Sequence, residues 1–528
     1  MHGRRDNTLV KRSSWFTASS KRDTVRGMSS ASNVYDTVPY PSLAFLQTHP
    51  DRLAVLGALF GMNPPPVEHC RVLELACGDG SNLIPMAYAL PGSEFVGVDL
   101  AVKPVASAQG RILRLGLTNI RIEAMDLMQV ELNAGNFDYI IAHGVYAWVP
   151  EHVQKKILAI CGAHLSPNGV AFVSYNTTPA GRVRQILREM TAFHEKRTAK
   201  SASRVQTNKN FLDAISRVTD KRSPWKTLLQ EELKLTFNRD EKVVFHDDLA
   251  DCFLPVSFGD FVERAAKCGL QYLSEAHLGE MIEPALDAEA SAVLSDLADG
   301  DEIAFQQYLD FARYRRFRQT LLCHKEVVLR RGELSQRVKQ LLAASPMRIS
   351  AEKSDGAIEF SNIRGPGTIT TNNPVVIAAL RRLEAIWPRA ESFTQLADAV
   401  VPRFPDTDQS QGGEGLAQAV LKLAANQLLD LRTYNLPLPN TITEKPMASL
   451  LARDMVKEGP LITTLLHTQL DMEDELGRKF LQLLDGTRNR ESLIDALAAE
   501  SRDVPRETMS KQVDASLLYF HRMGLLIA

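Results

Sequence analysis

One stretch constrains this chain more than any other. After Arg71 an apolar run, Val72-Leu73-Glu74-Leu75-Ala76, carries an acid and leads into the turn Gly78-Asp79-Gly80. A second apolar run, Phe95-Val96-Gly97-Val98, ends in Asp99, 25 residues after Glu74. That spacing predicts a strand, a tight glycine turn, a helix and a second strand. It is a βαβ unit, whose turn and strand ends suit a nucleoside-bearing ligand.

The alternation continues downstream. Short apolar runs at 71–76, 95–100, 120–125, 137–142 and 169–175 are separated by helix-compatible segments at 81–90, 103–115 and 151–164. Parallel strands buried on both faces read as continuous apolar runs, so residues 35–180 are expected to form a doubly wound, Rossmann-like α/β sheet. Pro91-Gly92 and Pro167-Asn168-Gly169 punctuate the strand starts. After Tyr175 the strand signal stops, and 181–243 is polar, basic and helical in pattern, an insertion into the domain. A helix then closes on Gly269, a strand follows at 270–276, a helical stretch at 286–313 and a last strand at 317–324. Residues 181–330 are thus read as a second region that completes the sheet.

From about 345 to 528 the text turns Leu- and Ala-rich and helical. Two pieces, 375–435 and 475–528, each run helix, turn, helix, long helix, short terminal strand. That order is winged-helix-like and is read as a degenerate duplication.

Composition excludes several classes. The net charge of −2 provides no bulk field for nucleic acid or a membrane surface. No apolar run approaches the ~20 residues that span a bilayer. The 6 cysteines are scattered without a Cys-x-x-Cys pair, which favours reduced thiols in a cytoplasm over disulfides, and no metal site is expected. Residues 1–34 are rich in Ser, Thr, Lys and Arg and lack an apolar h-region. They read as a disordered basic tail, with Met28 as an alternative start.

Three ligands compete for the βαβ turn. A dinucleotide wants Gly-x-Gly-x-x-Gly, but Leu83 stands where the third glycine belongs. A P-loop needs Gly-Lys-Ser/Thr, which is absent. S-adenosylmethionine has no phosphate and needs only close backbone approach, an acid for the ribose hydroxyls and an edge for adenine. Gly78 and Gly80 allow the approach, Asp99 suits the ribose and Asp126, after the third strand, suits the adenine amine. Glu74 anchors the turn or, through water, the ligand's ammonium. These acids at the ends of successive strands lie where open α/β sheets bind ligands. The bland alternative is that Asp99 and Asp126 only cap the helices that follow.

The chain resembles a family through particular words. They are Tyr35-Asp-Thr-Val-Pro-Tyr-Pro-Ser42, Gln47-Thr-His-Pro-Asp-Arg-Leu53, Leu73-Glu-Leu-Ala-Cys-Gly-Asp-Gly80, Asn82-Leu-Ile-Pro-Met86, Phe137 to Pro150, Ser174-Tyr-Asn-Thr177 and Arg316 to His324. The resemblance is to class I S-adenosylmethionine-dependent methyltransferases. More narrowly it is to bacterial proteins with a methyltransferase regulatory domain, which include rickettsial lysine methyltransferases of outer-membrane protein B. It implies S-adenosylmethionine as cofactor, held by Tyr35, Tyr40, Glu74, Ala76, Gly78, Gly80, Asn82, Asp99, Leu100, Asp126, Leu127 and His143, with the Tyr35–Pro41 segment as a lid. One word departs from the family. Ser-Tyr-Asn-Thr-x-Pro-Gly-Trp is common there, whereas Ser174-Tyr-Asn-Thr-Thr-Pro-Ala-Gly181 stands here.

Class I enzymes present catalytic groups in the loop after the fourth strand, here His143-Gly144-Val145-Tyr146-Ala147-Trp148. Tyr146 and Trp148 suit an aromatic wall for a cationic amine, and His143 suits a proton acceptor. The alternatives are a packed ring for His143 and core packing for Trp148. His246-Asp247-Asp248-Leu249 returns to the same cleft or caps a helix. The expected activity is methyl transfer to a protein side chain, with lysine as one acceptor. A small-molecule acceptor and a catalytically weak cofactor-binding regulator are the rivals. The recognition-helix candidate at 491–500 is not strongly basic, so the C-terminal region is read as binding protein rather than nucleic acid.

Overall fold

The structure, a computed structural model, describes residues 40–130, 136–198, 203–250, 252–281, 288–404, 409–500 and 504–528. The tail at 1–34 and the candidate Tyr35 lie outside the described residues.

Five strands run parallel: β1 (Arg71–Leu75), β2 (Glu94–Asp99), β3 (Ile120–Ala124), β4 (Phe137–Ala142) and β5 (Leu165–Asn176). Two more, β6 (Leu270–Glu275) and β7 (Phe317–His324), complete a 7-stranded sheet of order β3-β2-β1-β4-β5-β7-β6. β7 is antiparallel to both of its neighbours. Its antiparallel course matters for the site. It sets Phe317 opposite Asn176, so the start of β7 lies at the carboxyl edge of the parallel strands.

Side-chain alternation explains the burial on both faces. Val72, Tyr139, Ile141 and Phe172 enter one core, while Leu73, Leu75, Ile140, Ala142, Ala171 and Val173 enter another. Successive strand residues point to opposite faces, which makes each strand read as one apolar run. The first core is continuous with the helix Pro50–Leu59 and with the apolar interior of the C-terminal region as far as Leu526.

The helices of the unit follow the sequence reading: Leu83–Ala89, Val102–Leu115 and Glu151–His164. The insertion after β5 is four helices, Ala180–Glu195, Arg204–Val218, Pro224–Phe237 and Glu241–Asp248. It has its own small core of Leu187, Leu212, Leu229 and Leu233. Helix Phe258–Ala266 leads into β6, and helices Ala288–Ala298 and Glu302–Arg313 lead into β7. Among the described residues no helix is long and apolar enough to cross a membrane.

The C-terminal region is less uniformly helical than its composition predicts. An antiparallel sheet of Met347–Glu352, Ile358–Asn362 and Thr368–Thr371 precedes its first long helix. Here the half-exposed strand Met347-Arg-Ile-Ser-Ala-Glu352 alternates with period two, a signal that the Leu/Ala-rich average conceals. Beyond it, helices Pro374–Ile386, Phe393–Val400 and Gln409–Ala425 surround a second small sheet, in which Leu342–Ala344 pairs with Glu391–Ser392 and Asp430–Arg432. Later, Met447 and Ala448 bridge to Asp485 and Leu526, around helices Glu475–Leu483, Arg490–Glu500 and Arg506–Arg522. A hairpin, Leu461–Thr463 with Gln469–Asp471, precedes these three helices as the three-stranded sheet precedes the earlier three.

Candidate functional site

A cavity of about 1150 Å³ follows the carboxyl edge of the sheet. In sheet order its wall is Asp126 after β3, Asp99 ending β2, Ala76–Asp79 after β1, His143 and Gly144 after β4, Asn176 ending β5 and Phe317 opening β7. The wall is acidic at one end, with Glu74, Asp79, Asp99 and Asp126. At the other end Arg184 and Arg239 come from the helical insertion and Arg316 from the approach to β7.

The turn after β1 is tightly specified. Ala76, Gly78 and Gly80 have φ of 60°, 56° and 70°, in the left-handed region that favours glycine. A Cβ on Gly80 would sit 2.6 Å from Ile122 Cδ1. Gly80 therefore shapes the turn from behind, while Ala76 and Gly78 line the cavity. Gly78 N–H donates to Asp99 Oδ2 (2.8 Å) and Ala101 N–H to Asp99 Oδ1 (2.8 Å). A carboxylate has about four lone-pair sites, so acceptor capacity remains for a ligand hydroxyl. Asp126 caps the short helical turn Leu127–Gln129 through Met128 N–H (2.9 Å), which is the bland role, yet it also lines the cavity. Leu127 and the exposed Leu100 line the same end.

Glu74 is the most constrained of the acids. Asn82 Nδ2 donates to its Oε1 at 2.7 Å. Its Oε2 is buried and has no hydrogen-bond partner among the described residues. Burial pushes the carboxyl up to about 8, against the lowering by Asn82 and together with the nearby Asp99 and Asp79. An orphaned carboxylate oxygen beside further acids is a site for a cation. These residues therefore fit the ammonium and ribose of S-adenosylmethionine.

The segment after Tyr40 covers the turn. The Ser42 hydroxyl donates to Asp79, and Phe45 N–H donates to Asn82 Oδ1 at 2.9 Å. Tyr40 lines the cavity, with its ring 5.6 Å from that of His246.

The loop after β4 differs from the sequence expectation at two residues. Tyr146 does not line the cavity. Its ring is fully buried between Tyr175 (5.9 Å) and Phe261 (5.3 Å), so it belongs to the core and cannot wall an acceptor. His143 lines the cavity but is poorly placed to accept a proton. Ser174 Oγ lies 2.9 Å from its Nδ1 and accepts Gly144 N–H at 2.8 Å. The arrangement that uses every donor has the Ser174 hydroxyl donating to Nδ1, which leaves the ring proton on Nε2. Burial lowers the ring's pKa to about 4, so it is neutral. It packs against Phe45 (4.0 Å) and Phe172 (5.6 Å). Trp148 does line the cavity, but its ring is already engaged, by Phe253 at 4.8 Å and by the guanidinium groups of Arg184 at 5.2 Å and Arg188 at 5.4 Å.

Several site residues escaped the sequence reading. Ser174 sits inside the quoted word 174–177 and was legible as a polar residue in a buried strand. The cavity's arginines lie in the basic insertion, where Arg184 and Arg239 pair with Asp247 and Asp248. This brings the 246–249 word to the cleft. Glu458, from the C-terminal region, lines the cofactor end and pairs with Arg111 at 2.5 Å. His467, also C-terminal, reaches Asn82 Oδ1 at 3.0 Å. No local pattern marks either of these two.

Comparison with known proteins agrees with this geometry. Residues 72–169 match the family described as Methyltransferase domain, 240–324 the Predicted methyltransferase regulatory domain, and 444–507 the PKMT C-terminal winged helix domain. The uncharacterized protein RP028 of Rickettsia prowazekii is 37% identical over 234 residues, which is 44% of this chain and 94% of that protein. The chain belongs to the S-adenosylmethionine-dependent methyltransferases that carry this regulatory domain. A longer relative, the uncharacterized protein RP789 of the same organism, is 29% identical over 478 residues, 88% of this chain and 85% of that protein. The solved structure of PKMT2 from Rickettsia typhi, in complex with AdoHcy, superposes with a TM-score of 0.82 at 28% identity and covers 93% of this chain and 100% of that one. The methyltransferase fold thus includes the antiparallel β7, the helical insertion and the winged-helix region as one architecture. S-adenosylmethionine is the cofactor of this methyltransferase.

Proposed function

We propose that this methyltransferase modifies a protein, at a lysine amine. The observation that carries the reading is the extent of the likeness to PKMT2, a protein lysine methyltransferase, which includes the regions outside the catalytic sheet. The cavity supports the reading too. At about 1150 Å³ it exceeds the ~300–1,000 Å³ usual for one small ligand, leaving room for an acceptor beside the cofactor.

When bound, S-adenosylmethionine supplies a sulfonium methyl for in-line transfer. The chain's own part is to hold two partners in line, which is worth roughly 7–11 kcal/mol of barrier when alignment is good. Glu74 and Asp99 receive the cationic and hydroxyl groups of the donor. The acceptor amine must arrive neutral. Arg184 and Arg239 line the acceptor end paired with Asp247 and Asp248, and Arg316 is paired with Glu232, so this wall is charge-balanced, and desolvation within the cavity disfavours an ammonium. In this reading deprotonation is a consequence of the amine's desolvation in the cavity. His143 has its Nδ1 occupied and serves as a neutral part of the cavity wall.

The test is transfer of tritiated methyl from S-adenosylmethionine into lysate, followed by separation of protein from small molecules and amino-acid analysis. Label recovered as methyl-lysine in the protein fraction supports the proposal. Label confined to the small-molecule fraction would assign the arginines to an acidic metabolite instead. Cofactor binding without transfer would assign the chain to regulation.

A further inference from the structure

The C-terminal hairpin reaches the cofactor end of the cavity at two points. Gln469 Nε2 donates to Ser42 O at 3.2 Å, in the segment that covers the glycine turn. His467, in the loop between the hairpin strands, reaches Asn82. His467 is buried and held at φ +56°, a conformation that side-chain-bearing residues rarely adopt. The loop is braced around it. Thr464 O accepts His467 N–H at 2.9 Å, Thr464 N–H donates to Thr468 O at 2.9 Å, and the two threonine hydroxyls lie 2.9 Å apart. Such bracing retains an uncommon backbone conformation because the surroundings over-determine it.

The contact falls on an amide whose orientation matters. Asn82 Oδ1 receives Phe45 N–H at 2.9 Å and His467 Nε2–H at 3.0 Å, with the Thr48 hydroxyl farther off at 3.3 Å. Its Nδ2 is thereby turned toward Thr48 Oγ1 (3.0 Å) and Glu74 Oε1 (2.7 Å). With Oε1 taken, the buried Oε2 is the oxygen of Glu74 left without a partner among the described residues. Burial lowers the pKa of His467 to about 3, so the ring is neutral and its donor is constant across the physiological range.

We infer that His467 is a positioning residue for the amino-acid end of the cofactor, acting through Asn82 on Glu74, so that cofactor affinity depends on the seating of the C-terminal hairpin. The inference rests on the family's cofactor and is independent of the acceptor. A partner that displaces the hairpin would loosen the grip on the cofactor's ammonium while leaving its adenosine end in place.

Two ligands separate this role from a structural one. S-adenosylmethionine carries the amino-acid end; 5′-methylthioadenosine lacks it. His467→Ala should weaken S-adenosylmethionine about tenfold by calorimetry and leave 5′-methylthioadenosine within about twofold. His467→Gln, whose amide reaches a similar position as a donor, should restore most of the loss. If the alanine variant does not fold, His467→Phe keeps a ring without the donor and takes its place. Equal loss for both ligands, or no loss for either, would overturn the inference. Failure of the unmutated protein to bind S-adenosylmethionine at all would instead fault the cofactor assignment.

Discussion

Glu74 should set the pH response of cofactor binding. In the free protein its carboxyl titrates near 8, raised by burial from an ordinary value of 4.5. A cation at Oε2 favours the ionised form, so binding releases a proton below pH 8. The dissociation constant of S-adenosylmethionine should fall between pH 6 and 7.5, by at most about tenfold per unit. Calorimetry in two buffers of different ionisation enthalpy counts the proton, and Glu74→Gln should abolish its release. Stability runs the other way. A raised folded-state pKa contributes stability that is complete below 4.5 and lost as pH rises through 8. Glu74→Gln should therefore raise the thermal midpoint at pH 8.5 and leave it little changed at pH 4. Tyr146 and Trp148 make a second contrast between neighbours. Tyr146→Phe keeps a fully buried ring and should leave methyl transfer within about twofold. Trp148→Ala removes the surface on which Arg184 and Arg188 stack, contacts worth ~0.5–2 kcal/mol each. It should lower transfer about tenfold or more while S-adenosylmethionine binding persists; equal effects from the two variants would refute the assignment of Tyr146 to the core.

At the level of elements, the strand–turn–helix at 71–89 holds because glycine stands where nothing larger fits. Gly80 combines a φ of 70° with Ile122 Cδ1 at 2.6 Å from where its Cβ would be. Gly97 in β2 lies against Cys77 Sγ at 2.7 Å by the same measure. Gly80→Ala carries roughly 1–2 kcal/mol of left-handed strain and forces Ile122 to move. Its circular dichroism should stay near native while S-adenosylmethionine affinity drops at least tenfold; unchanged affinity would mean that the turn tolerates a side chain. This unit was readable from sequence because sheet burial on both faces writes itself as apolar runs, and because the ligand edge of such a sheet is fixed by topology. Asp99 and Asp126 could be placed for that reason. Tyr146 could not be assigned correctly, since an aromatic two residues past Gly144 is compatible with either face of the loop until Tyr175 and Phe261 are in place. The strands at 347–371 and 461–471 were missed because they are short and half-exposed, in text whose average is helical. Ser174, His467 and Glu458 act across separations of 31, 385 and 347 residues, which no local periodicity records.

Across the whole molecule, the helix Pro50–Leu59 joins the sheet to the C-terminal region. Asp51 accepts Thr433 N–H at 2.7 Å and the Thr433 hydroxyl at 2.6 Å. Arg52 meets Asp430 at 2.8 Å, and Arg364 binds the same carboxylate twice, at 2.9 and 2.8 Å. Arg432 lies at 3.5 Å. On the opposite flank Arg114 pairs with Asp454 at 2.9 Å, beside the Arg111–Glu458 pair. Asp430 is the keystone of the first cluster. Burial opposes its ionisation, but Arg364, Arg52 and Arg432 outweigh burial and hold the carboxyl far below the usual carboxylate range. Asp430→Asn would leave three arginines around a neutral amide, and breaking a buried pair in this way typically costs 3–5 kcal/mol. The variant should melt well below the unmodified protein at pH 7, with faster hydrogen exchange in both Pro50–Leu59 and Asp430–Arg432. Because the folded-state pKa is depressed, this contribution is present above the unfolded value of 3.8 and is lost as pH falls below it. The gap between the two melting temperatures should therefore stay constant from pH 8 to 5 and shrink below about pH 4. A gap that closed near neutrality would show that a group other than Asp430 controls this contact. A gap absent at pH 7 would show that the C-terminal region is held by its apolar contacts alone.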